Sequence, residues 1–374
     1  MTFGERVEVF HDYFAIRGGG ERLALELANG LQARLTFGYR TDQSYGLEAF
    51  PPTHRDLRLG AVRKLGPAAP IGLAVGFARQ QHAATRSDIR IFSGAFAPFA
   101  APTDDGGVNI LYCHTPPRFL YDQRDFYKRR SGIARKLGMA ALGPWFRRGY
   151  KEAVGRMDLI VANSVNIQKR ISTFLGRDST VVYPPVDTAA FRWRGQEGYY
   201  LSTARMSPLK RIDVIIDAFR RMPEKRLIVT SGGDQELALR ARAAGAPNIT
   251  FTGWTSDEQL RELISRAIAT IYVPIEEDFG MSPVESMAAG KPVIGVTEGG
   301  LLETIIHDQT GILLSSPLDS ESLEGAVRTL TPERALAMRP ACEAQAQRFN
   351  TSHFLDGMRR VIETAAEVRR AQLR

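Results

Sequence analysis

Two carboxylates within one short segment could act together on a bound sugar or phosphate. Glu277 and Glu285 are separated by seven residues. The turn that lies between them includes Phe279, Gly280, Met281 and Ser282. A helix is predicted from Ser282, where exposed amides could contact a pyrophosphate or a sugar hydroxyl. Because Ser282 to Glu285 also has the spacing of a capping box, Glu285 taken alone is explained equally well by helix capping.

Two cations follow a predicted strand in the same half of the chain. Arg205 and Lys210 lie just beyond strand Tyr199–Thr203. Each could make a charge-assisted hydrogen bond to a diphosphate, worth about 1.5–3 kcal/mol. Lys210 by itself is also explained by a surface salt bridge. Together with the acidic loop further along the chain, the two cations predict a site for an anionic ligand.

A run of glycines follows the first predicted strand. Gly18, Gly19 and Gly20 lead into a helix, and consecutive glycines let backbone amides approach a phosphate closely. A plain turn explains the glycines about as well. The dinucleotide fingerprint G-x-G-x-x-G fails because Leu23 stands at its third glycine, and no acidic residue follows near Phe37–Arg40. The sequence therefore disfavours an NAD-binding protein.

All of these segments follow predicted strands. Short β-branched runs alternate with longer amphipathic stretches, which is typical of βαβ units and parallel sheets. The predicted strands are Val7–Phe10, Ile89–Phe92, Val108–Cys113 and Leu159–Ala162 in the first half, and Tyr199–Thr203, Arg226–Thr230, Asn248–Thr252, Ala269–Val273 and Pro292–Val296 in the second. Ligands bind outside the carboxyl ends of strands in such sheets, so chemistry is expected in the loops described above.

The chain is predicted to form two doubly wound α/β domains. Its 374 residues exceed what one hydrophobic core usually supports. The Pro-Pro pair within Val182–Asp187 cannot continue a helix, so we place the linker there. The first domain is predicted to cover residues 1–185 and the second residues 186–351. Residues 352–374 have helical periodicity and no following strand, so they could pack on either domain.

The composition excludes several classes of protein. Residues are 44% hydrophobic and 24% charged, which is ordinary for a globular protein. Charges near the first residue, and the lack of any apolar run of about 18 residues, predict a cytoplasmic protein without a signal peptide or membrane span. Cys113 and Cys342 lie far apart in sequence without nearby ligands, so neither a disulfide framework nor a zinc site is expected.

The positive charge lies in the first half of the chain. Residues 1–185 contain 26 Lys and Arg against 16 Asp and Glu, although the net charge of the whole chain is only +8. Ten cations fall within residues 118–151: Arg118, Arg124, Lys128, Arg129, Arg130, Arg135, Lys136, Arg147, Arg148 and Lys151. A solvated helical face would explain them. The alternative is peripheral contact with an anionic membrane or acceptor, while no nucleic-acid-binding motif accompanies the charge.

Taken together, these motifs resemble the family-four retaining glycosyltransferases of GT-B fold. The similar segments are Gly18–Arg22, Ala162–Ser164, Arg205–Lys210, Asp213–Phe219, Asn248–Trp254, the Glu277 and Glu285 pair, and Pro292–Gly300. The resemblance covers nearly the whole chain. It implies two Rossmann-like domains that face each other across a cleft. The first would bind the acceptor, with the terminal helix packing back on it, and the second would bind a nucleotide-sugar donor.

The resemblance also implies roles for individual residues. Arg205 and Lys210 would hold the donor diphosphate, and Gly18 and Gly19 would let the first loop close over the phosphates. Glu285 would accept hydrogen bonds from the ribose hydroxyls. Glu277 would lie against the transferred sugar. The turn residues Phe279, Gly280, Met281 and Ser282 would contact the sugar or the phosphates.

The segment around His114 resembles a narrower group within this family. His114 lies just past strand Val108–Cys113, where the family has an active-site histidine, although a lone histidine is more often structural. The segment from Leu111 to Asp122 is similar to that of bacterial mannosyltransferases that build O-antigen or exopolysaccharide on a polyprenyl diphosphate carrier. This similarity favours GDP-mannose as the donor. Ser164 and Arg118 are further candidates for acceptor or donor contact.

No Asp-x-Asp stands in the chain, so the usual sequence for binding diphosphate through a divalent cation is absent. We expect no metal requirement and no cofactor, because the cations and helix-end amides would stabilise the leaving phosphate. Three other functions stay open. They are a glucosyl- or N-acetylglucosaminyltransferase that uses a UDP-sugar, a sugar-nucleotide epimerase and a non-catalytic polyanion binder.

Overall fold

A computed structural model describes residues 6–103, 106–130 and 132–372. The side chains at positions 127, 128, 130, 133–135, 137, 139 and 372 lie outside this description. The chain divides into two compact units. The first comprises Met1–Tyr183 together with Phe354–Arg374, and the second comprises Pro184–His353.

The first unit is built on a parallel sheet that has seven strands among the described residues. These are β1 (Val7–His11), β2 (Arg34–Phe37), β3 (His54–Asp56), β4 (Ile89–Ser93), β5 (Val108–Cys113), β6 (Leu159–Ala162) and β7 (Thr180–Val181). Their order across the sheet is β3-β2-β1-β4-β5-β6-β7. The helices of this part are α1 (Gly19–Gly30), α2 (Ala69–Ala78), α3 (Gln81–Ala84), α4 (Arg124–Arg130), α5 (Ile133–Gly155) and α6 (Val165–Leu175). Short 3-10 helices cover Leu47–Ala49, Leu59–Ala68 and Ala97–Ala100.

Both faces of this sheet are covered by apolar side chains, as a parallel sheet requires. On one face, Leu23 and Leu27 of α1 pack in the same cluster as Val9 of β1. On the other, Phe77 of α2 and Phe146 of α5 form a second cluster with the neighbouring strands. Leu23 and Leu27 are both buried.

The second unit is built in the same way. Its sheet has six parallel strands among the described residues: β8 (Tyr199–Ser202), β9 (Arg226–Thr230), β10 (Ile249–Gly253), β11 (Thr270–Ile271), β12 (Val293–Val296) and β13 (Gly311–Leu314). They are ordered β10-β9-β8-β11-β12-β13. The helices are α7 (Ile212–Arg220), α8 (Glu236–Arg242), α9 (Asp257–Arg266), α10 (Met281–Ala288), α11 (Leu301–Thr304), α12 (Ser320–Thr329) and α13 (Pro332–Gln347), with 3-10 helices at Thr188–Ala190 and Pro208–Lys210.

The last helix, α14 (Thr351–Gln372), returns to the first unit. Met358 and Ile362 are buried in the cluster that contains Val9 and Leu27. Phe354 makes an edge contact with Tyr112 at a ring distance of 5.9 Å. The first unit is therefore completed by a segment that follows the second unit in sequence.

The predicted architecture of two doubly wound α/β domains is confirmed. Every predicted strand is present, although β11 is reduced to Thr270–Ile271. The sequence interpretation missed β2, β3, β7 and β13, which are short. Strand β3 is exposed along its whole length, so it carries no hydrophobic alternation by which to recognise it.

Two further expectations concern cysteines and membrane spans. Cys113 and Cys342 are both buried and form no disulfide. Within the described ranges, none of the helices combines the length and the apolar character that a bilayer crossing requires.

Met358 tests how far the first unit depends on α14. Because its side chain is fully buried, Met358→Ala should lower the free energy of unfolding of the first unit by about 2–5 kcal/mol. Urea unfolding followed by circular dichroism measures the loss. The exposed Arg360→Ala on the same helix is the control, and equal stability of the two variants would contradict the packing described.

Candidate active site

The strand order locates a ligand-binding edge in the second unit. β8 and β11 are neighbours. The strands that follow them in sequence, β9 and β12, lie on opposite sides of this pair. Such a topological switch point leaves a crevice at the carboxyl ends of the strands. Lys210 follows β8 and Glu277 follows β11, so the predicted cation and the predicted carboxylate reach the same place from different loops.

Lys210 joins the two loops directly. Its Nζ donates to Glu277 Oε2 at 2.5 Å and to the Tyr272 hydroxyl at 2.8 Å. The side chains of Lys210 and Glu277 are each only 21% exposed. Tyr272 was not singled out from the sequence, because it reads as the end of a buried strand. Its hydroxyl completes a small polar cluster at the sheet edge.

The charge state of this cluster follows from its contacts. Burial opposes the positive charge on Lys210, but Tyr272 and Glu277 outweigh it and raise the pKa of the ammonium above its usual range. Burial also raises the pKa of Tyr272, and the neighbouring Glu277 adds to that effect. At neutral pH the cluster therefore contains an ammonium cation held by a neutral phenol. An anionic ligand would find a cation already in position.

A second ion pair holds the acidic loop in shape. Arg211 donates to both carboxylate oxygens of Glu298 at 2.8 and 3.0 Å, and the backbone N–H of Glu276 donates to the same carboxylate. Gly299 has φ +59°, and a Cβ there would lie 2.3 Å from the carbonyl oxygen of Glu277. The close approach requires glycine at this position. The loops that follow β8, β11 and β12 are thus fastened together.

The start of α10 differs from the prediction. The helix begins at Met281 rather than Ser282, and its N-cap is Gly280 in a left-handed conformation with φ 94°. No side chain caps the helix, so the capping box predicted for Ser282 and Glu285 is wrong. The physical reason is that Gly280 turns the chain two residues earlier than a cap at Ser282 would. This removes the capping explanation for Glu285, which is buried on the first turns of α10.

The turn residues divide into two kinds. Phe279 is 2% exposed and packs against Phe349 with a ring distance of 5.3 Å, so only its backbone could reach a ligand. Met281 and Ser282 are half-buried at the helix start. Arg205 is exposed on the loop after β8. It is therefore placed to meet a ligand that approaches from solvent.

The first unit has its own switch point, between β1 and β4. His11 and Ser93 are partners in the register of these strands, and His114 lies just beyond β5. Ser93 Oγ is 3.0 Å from His11 Nδ1 and 2.8 Å from His114 Nε2. The three side chains form one hydrogen-bonded chain at the carboxyl ends of three adjacent strands. The sequence interpretation found His114 but missed His11 and Ser93.

Burial determines the protonation state of these hydrogen-bonded side chains. A hydroxyl donates only one proton, so Ser93 donates to one ring and accepts from the N–H of the other. Burial lowers the pKa of His114 to about 4. Burial and the nearby His114 lower the pKa of His11 to about 3. Both rings are neutral at pH 7, and His114 can act as a neutral hydrogen-bonding group.

Two further carboxylates, Asp12 and Glu21, follow β1. Asp12 accepts hydrogen bonds from the backbone N–H groups of Ala95, Phe96 and Ala97 at 2.6 to 2.8 Å. Burial raises its pKa to about 6, against the effect of these amides. Burial likewise raises the pKa of Glu21 to about 7. Neither residue was predicted, because an acid beside a strand or in a first helical turn is unremarkable in sequence.

The predicted glycine loop lies at the start of α1. Gly18 is the N-cap residue, and Gly19 begins the helix without any side-chain cap. A Cβ on Gly18 would lie 2.4 Å from Glu21 Oε2, so the carboxylate of Glu21 lies over the loop. A Cβ on Gly20 would meet the His114 ring at an ordinary 3.6 Å. The loop and His114 therefore belong to one site.

Two candidate contact residues have structural roles. Ser164 is fully buried and caps α6 by accepting the backbone N–H of Ile167 at 3.1 Å. Arg118 is paired with Asp122 at 3.1 Å and is only 14% exposed. A ligand contact by either side chain would require that bond to be exchanged.

The basic segment of residues 118–151 is only partly described. The side chains of Lys128, Arg130 and Arg135 lie outside the described residues. Arg124, Arg129, Lys136, Arg147, Arg148 and Lys151 are exposed. In the part of the chain that the structure covers, no three His, Cys, Asp or Glu side chains come together as a metal-ligand group.

Comparison with known proteins finds a family similarity within the second unit. Residues 186–348 match the family of glycosyl transferases group 1. The chain is 27% identical over 253 residues to the alpha-1,3/1,6-mannosyltransferase ALG2 of Dictyostelium discoideum, and 28% identical over 242 residues to the D-inositol 3-phosphate glycosyltransferase of Rhodococcus erythropolis. These alignments cover 54% and 56% of this chain. The chain spans about half the length of these relatives, 57% of the first and 54% of the second.

Solved structures show the fold over nearly the whole chain. Anabaena HepE in complex with UDP-glucose superposes with a TM-score of 0.75 at 18% sequence identity, covering 96% of this chain and 99% of that one. The two parallel sheets and this similarity identify the fold as GT-B.

The neutral state of His114 predicts a pH effect on stability. Below pH 6.5 the unfolded chain binds a proton at this histidine, while the folded protein does so only near pH 4. As the pH falls through that window, the unfolding free energy of wild type should therefore decrease relative to that of His114→Gln by up to about 1.4 kcal/mol per pH unit. Urea unfolding of both proteins from pH 7.5 to 4.5 measures the difference. A constant difference across the range would contradict a neutral, buried His114.

Proposed function

We propose that this chain, whose residues 186–348 match the family of glycosyl transferases group 1, is a retaining, metal-independent glycosyltransferase. It would move a sugar from a nucleoside diphosphate to a glycan or a polyprenyl-diphosphate-linked acceptor in cell-surface polysaccharide synthesis. The observation that carries the proposal is the Lys210–Glu277 pair at the switch point of the second sheet. It combines a cation for a diphosphate with a carboxylate for a sugar in a site that also contains a helix N-terminus.

The proposed reaction uses the cations on the leaving group. Lys210 and Arg205, with the amides at the start of α10, would stabilise the negative charge that grows on the diphosphate as the bond from C1 to oxygen breaks. The acceptor oxygen would bond to C1 on the same face, and its proton would pass to the departing phosphate. A nucleoside diphosphate and the glycosylated acceptor are the products. No protein base is needed in this step.

The carboxylates and His114 would position the sugar. When a phosphate binds Lys210, it would replace Glu277 as the main counter-charge, which leaves Glu277 to bind the sugar and support its developing positive charge. Glu285 would accept hydrogen bonds from the ribose. Neutral His114 would hydrogen-bond the sugar or the acceptor, with Ser93 and His11 holding its ring in place.

The donor that we propose is GDP-mannose. The resemblance of the His114 segment supports it, as does the relative whose name is a mannosyltransferase. A UDP-sugar is the second candidate, because the similar Anabaena structure contains UDP-glucose. We propose that the enzyme works in the cytoplasm, with residues 118–151 in peripheral contact with the inner face of the cell membrane.

A thermal-shift comparison of nucleotides tests the donor. A ligand that binds only the folded protein stabilises it by about 2.7 kcal/mol when present at a hundredfold excess over its Kd. At equal concentrations, GDP should therefore raise the melting temperature more than UDP or ADP does. A larger shift with UDP would indicate that the donor is a UDP-sugar and not GDP-mannose.

Glu277→Gln tests the reaction. Since the neutral amide cannot support positive charge on the sugar, turnover should fall by about 10²–10³-fold. The assay measures sugar transfer or donor hydrolysis with a panel of sugar nucleotides in the presence of EDTA. Glu258→Gln, an exposed substitution on α9, is the matched control and should leave turnover unchanged.

Three outcomes of this assay would overturn the proposal. A folded wild-type protein that acts on none of the donors would exclude a transferase. Conversion of a sugar nucleotide to its epimer without an acceptor would indicate an epimerase. Nucleotide-sugar binding without turnover, unchanged in Glu277→Gln, would indicate a non-catalytic binder.

A further inference from the structure

We propose that a large apolar cavity within the first unit binds the hydrocarbon chain of a phosphate-headed lipid. Identifying this lipid as the acceptor rests on the proposed glycosyltransferase function. The cavity has a volume of about 1170 Å³ and lies between α5, the adjoining ends of the 3-10 helix Leu59–Ala68 and of α2, and the turn after β5. The described residues that line it fall within 66–152.

Much of the described lining of the cavity is apolar. Pro67 and Ile71 line one side, Phe119 and Leu120 another, and Leu142 and Phe146 of α5 a third. Hydroxyl groups of a sugar or amides of a peptide would find few hydrogen-bond partners there, and burying them unpaired is unfavourable. An alkyl or isoprenoid chain has no hydrogen bonds to lose on entering such a space and gains from leaving water. The walls therefore select a lipid chain rather than a glycan.

Charged side chains complement this apolar lining. Arg124, Arg147, Arg148 and Lys151 all line the cavity and are exposed. Among the described lining residues the one acid is Glu152, which is paired with Arg148 at 2.9 Å. Arg147 lies over the ring of Tyr121, 5.1 Å from its centroid. The cavity thus has an excess of positive charge, which suits a phosphate or diphosphate at the head of the chain.

Exposed hydrophobic side chains accompany the cavity. Leu65, Val75 and Trp145 are among the large hydrophobic residues that remain exposed in the described part of the chain. They lie on the 3-10 helix, α2 and α5, three elements that also contribute residues to the cavity. Together with the cations, these apolar side chains fit a lipid that is taken from a membrane.

Calorimetric titration with farnesyl diphosphate tests the site. Farnesol and inorganic pyrophosphate serve as probes of the chain and of the headgroup alone. Farnesyl diphosphate should bind wild type at least about tenfold more tightly than either part. Leu142→Trp, which fills the cavity, should weaken binding at least about tenfold, while the volume-conserving Leu142→Met should stay within about threefold. Ala69→Leu narrows the cavity at a different lining residue and should act like Leu142→Trp if that variant is poorly folded.

The cations are tested separately. Arg147→Gln with Lys151→Gln should weaken farnesyl diphosphate but not farnesol, and Lys136→Gln, exposed on α5 outside the cavity, should change neither. The proposal is overturned if pyrophosphate binds as tightly as farnesyl diphosphate, or if neither cavity-filling variant changes binding. It is also overturned if wild type ignores farnesyl diphosphate but binds phosphatidylglycerol vesicles, since the basic residues would then contact only a membrane surface.

None of these titrations uses a sugar nucleotide. The lipid-binding proposal and the glycosyltransferase proposal can therefore be contradicted independently. A protein that binds farnesyl diphosphate through the cavity but turns over no donor would contradict the transferase alone. A protein that hydrolyses a donor but does not bind the lipid would contradict the cavity alone.

Discussion

A cation that is largely removed from water needs a negative or polar partner, and this requirement organises the second unit. Lys210 is held by Glu277 and Tyr272, which brings the loops after β8 and β11 together. The neighbouring Arg211 is also largely removed from water, and it pairs with Glu298. Two charge pairs thus fasten three loops at one sheet edge. In the proposed reaction the diphosphate enters a place where the charge has already been positioned, so little rearrangement is needed.

Much of the sheet framework could be predicted from the sequence, because the central strands of the first sheet, β1, β4 and β5, are five or six residues long and contain Val or Ile. Strand order could not be predicted, since it depends on which strands pair and not on the pattern within any one of them. The switch points, and therefore the meeting of Lys210 with Glu277, emerge only from the pairing. The helix start at Gly280 was misplaced because a left-handed glycine cap competes with a serine cap of nearly identical position.

The first unit shows a different limit of prediction. His114 could be found because it ends a strand, whereas His11 and Ser93 look like ordinary strand residues until the register places them opposite one another. Ser164 and Arg118 show the reverse case. Their residue types suit a ligand, but a helix cap and an ion pair already use them. Polar residues near a site serve the scaffold as often as the substrate, and spacing alone does not separate the two roles.

The position of α14 affects how the protein is made. The first unit contains residues from both ends of the described chain, with the whole of the second unit encoded between them. During translation, Met358 and Ile362 emerge from the ribosome only after every strand of the second sheet has been synthesised. Until then, the face of the first sheet that these residues cover stays open to solvent. The unit whose synthesis starts first is therefore the last to be completed, and its apolar face is exposed to aggregation for as long as synthesis of the second unit lasts.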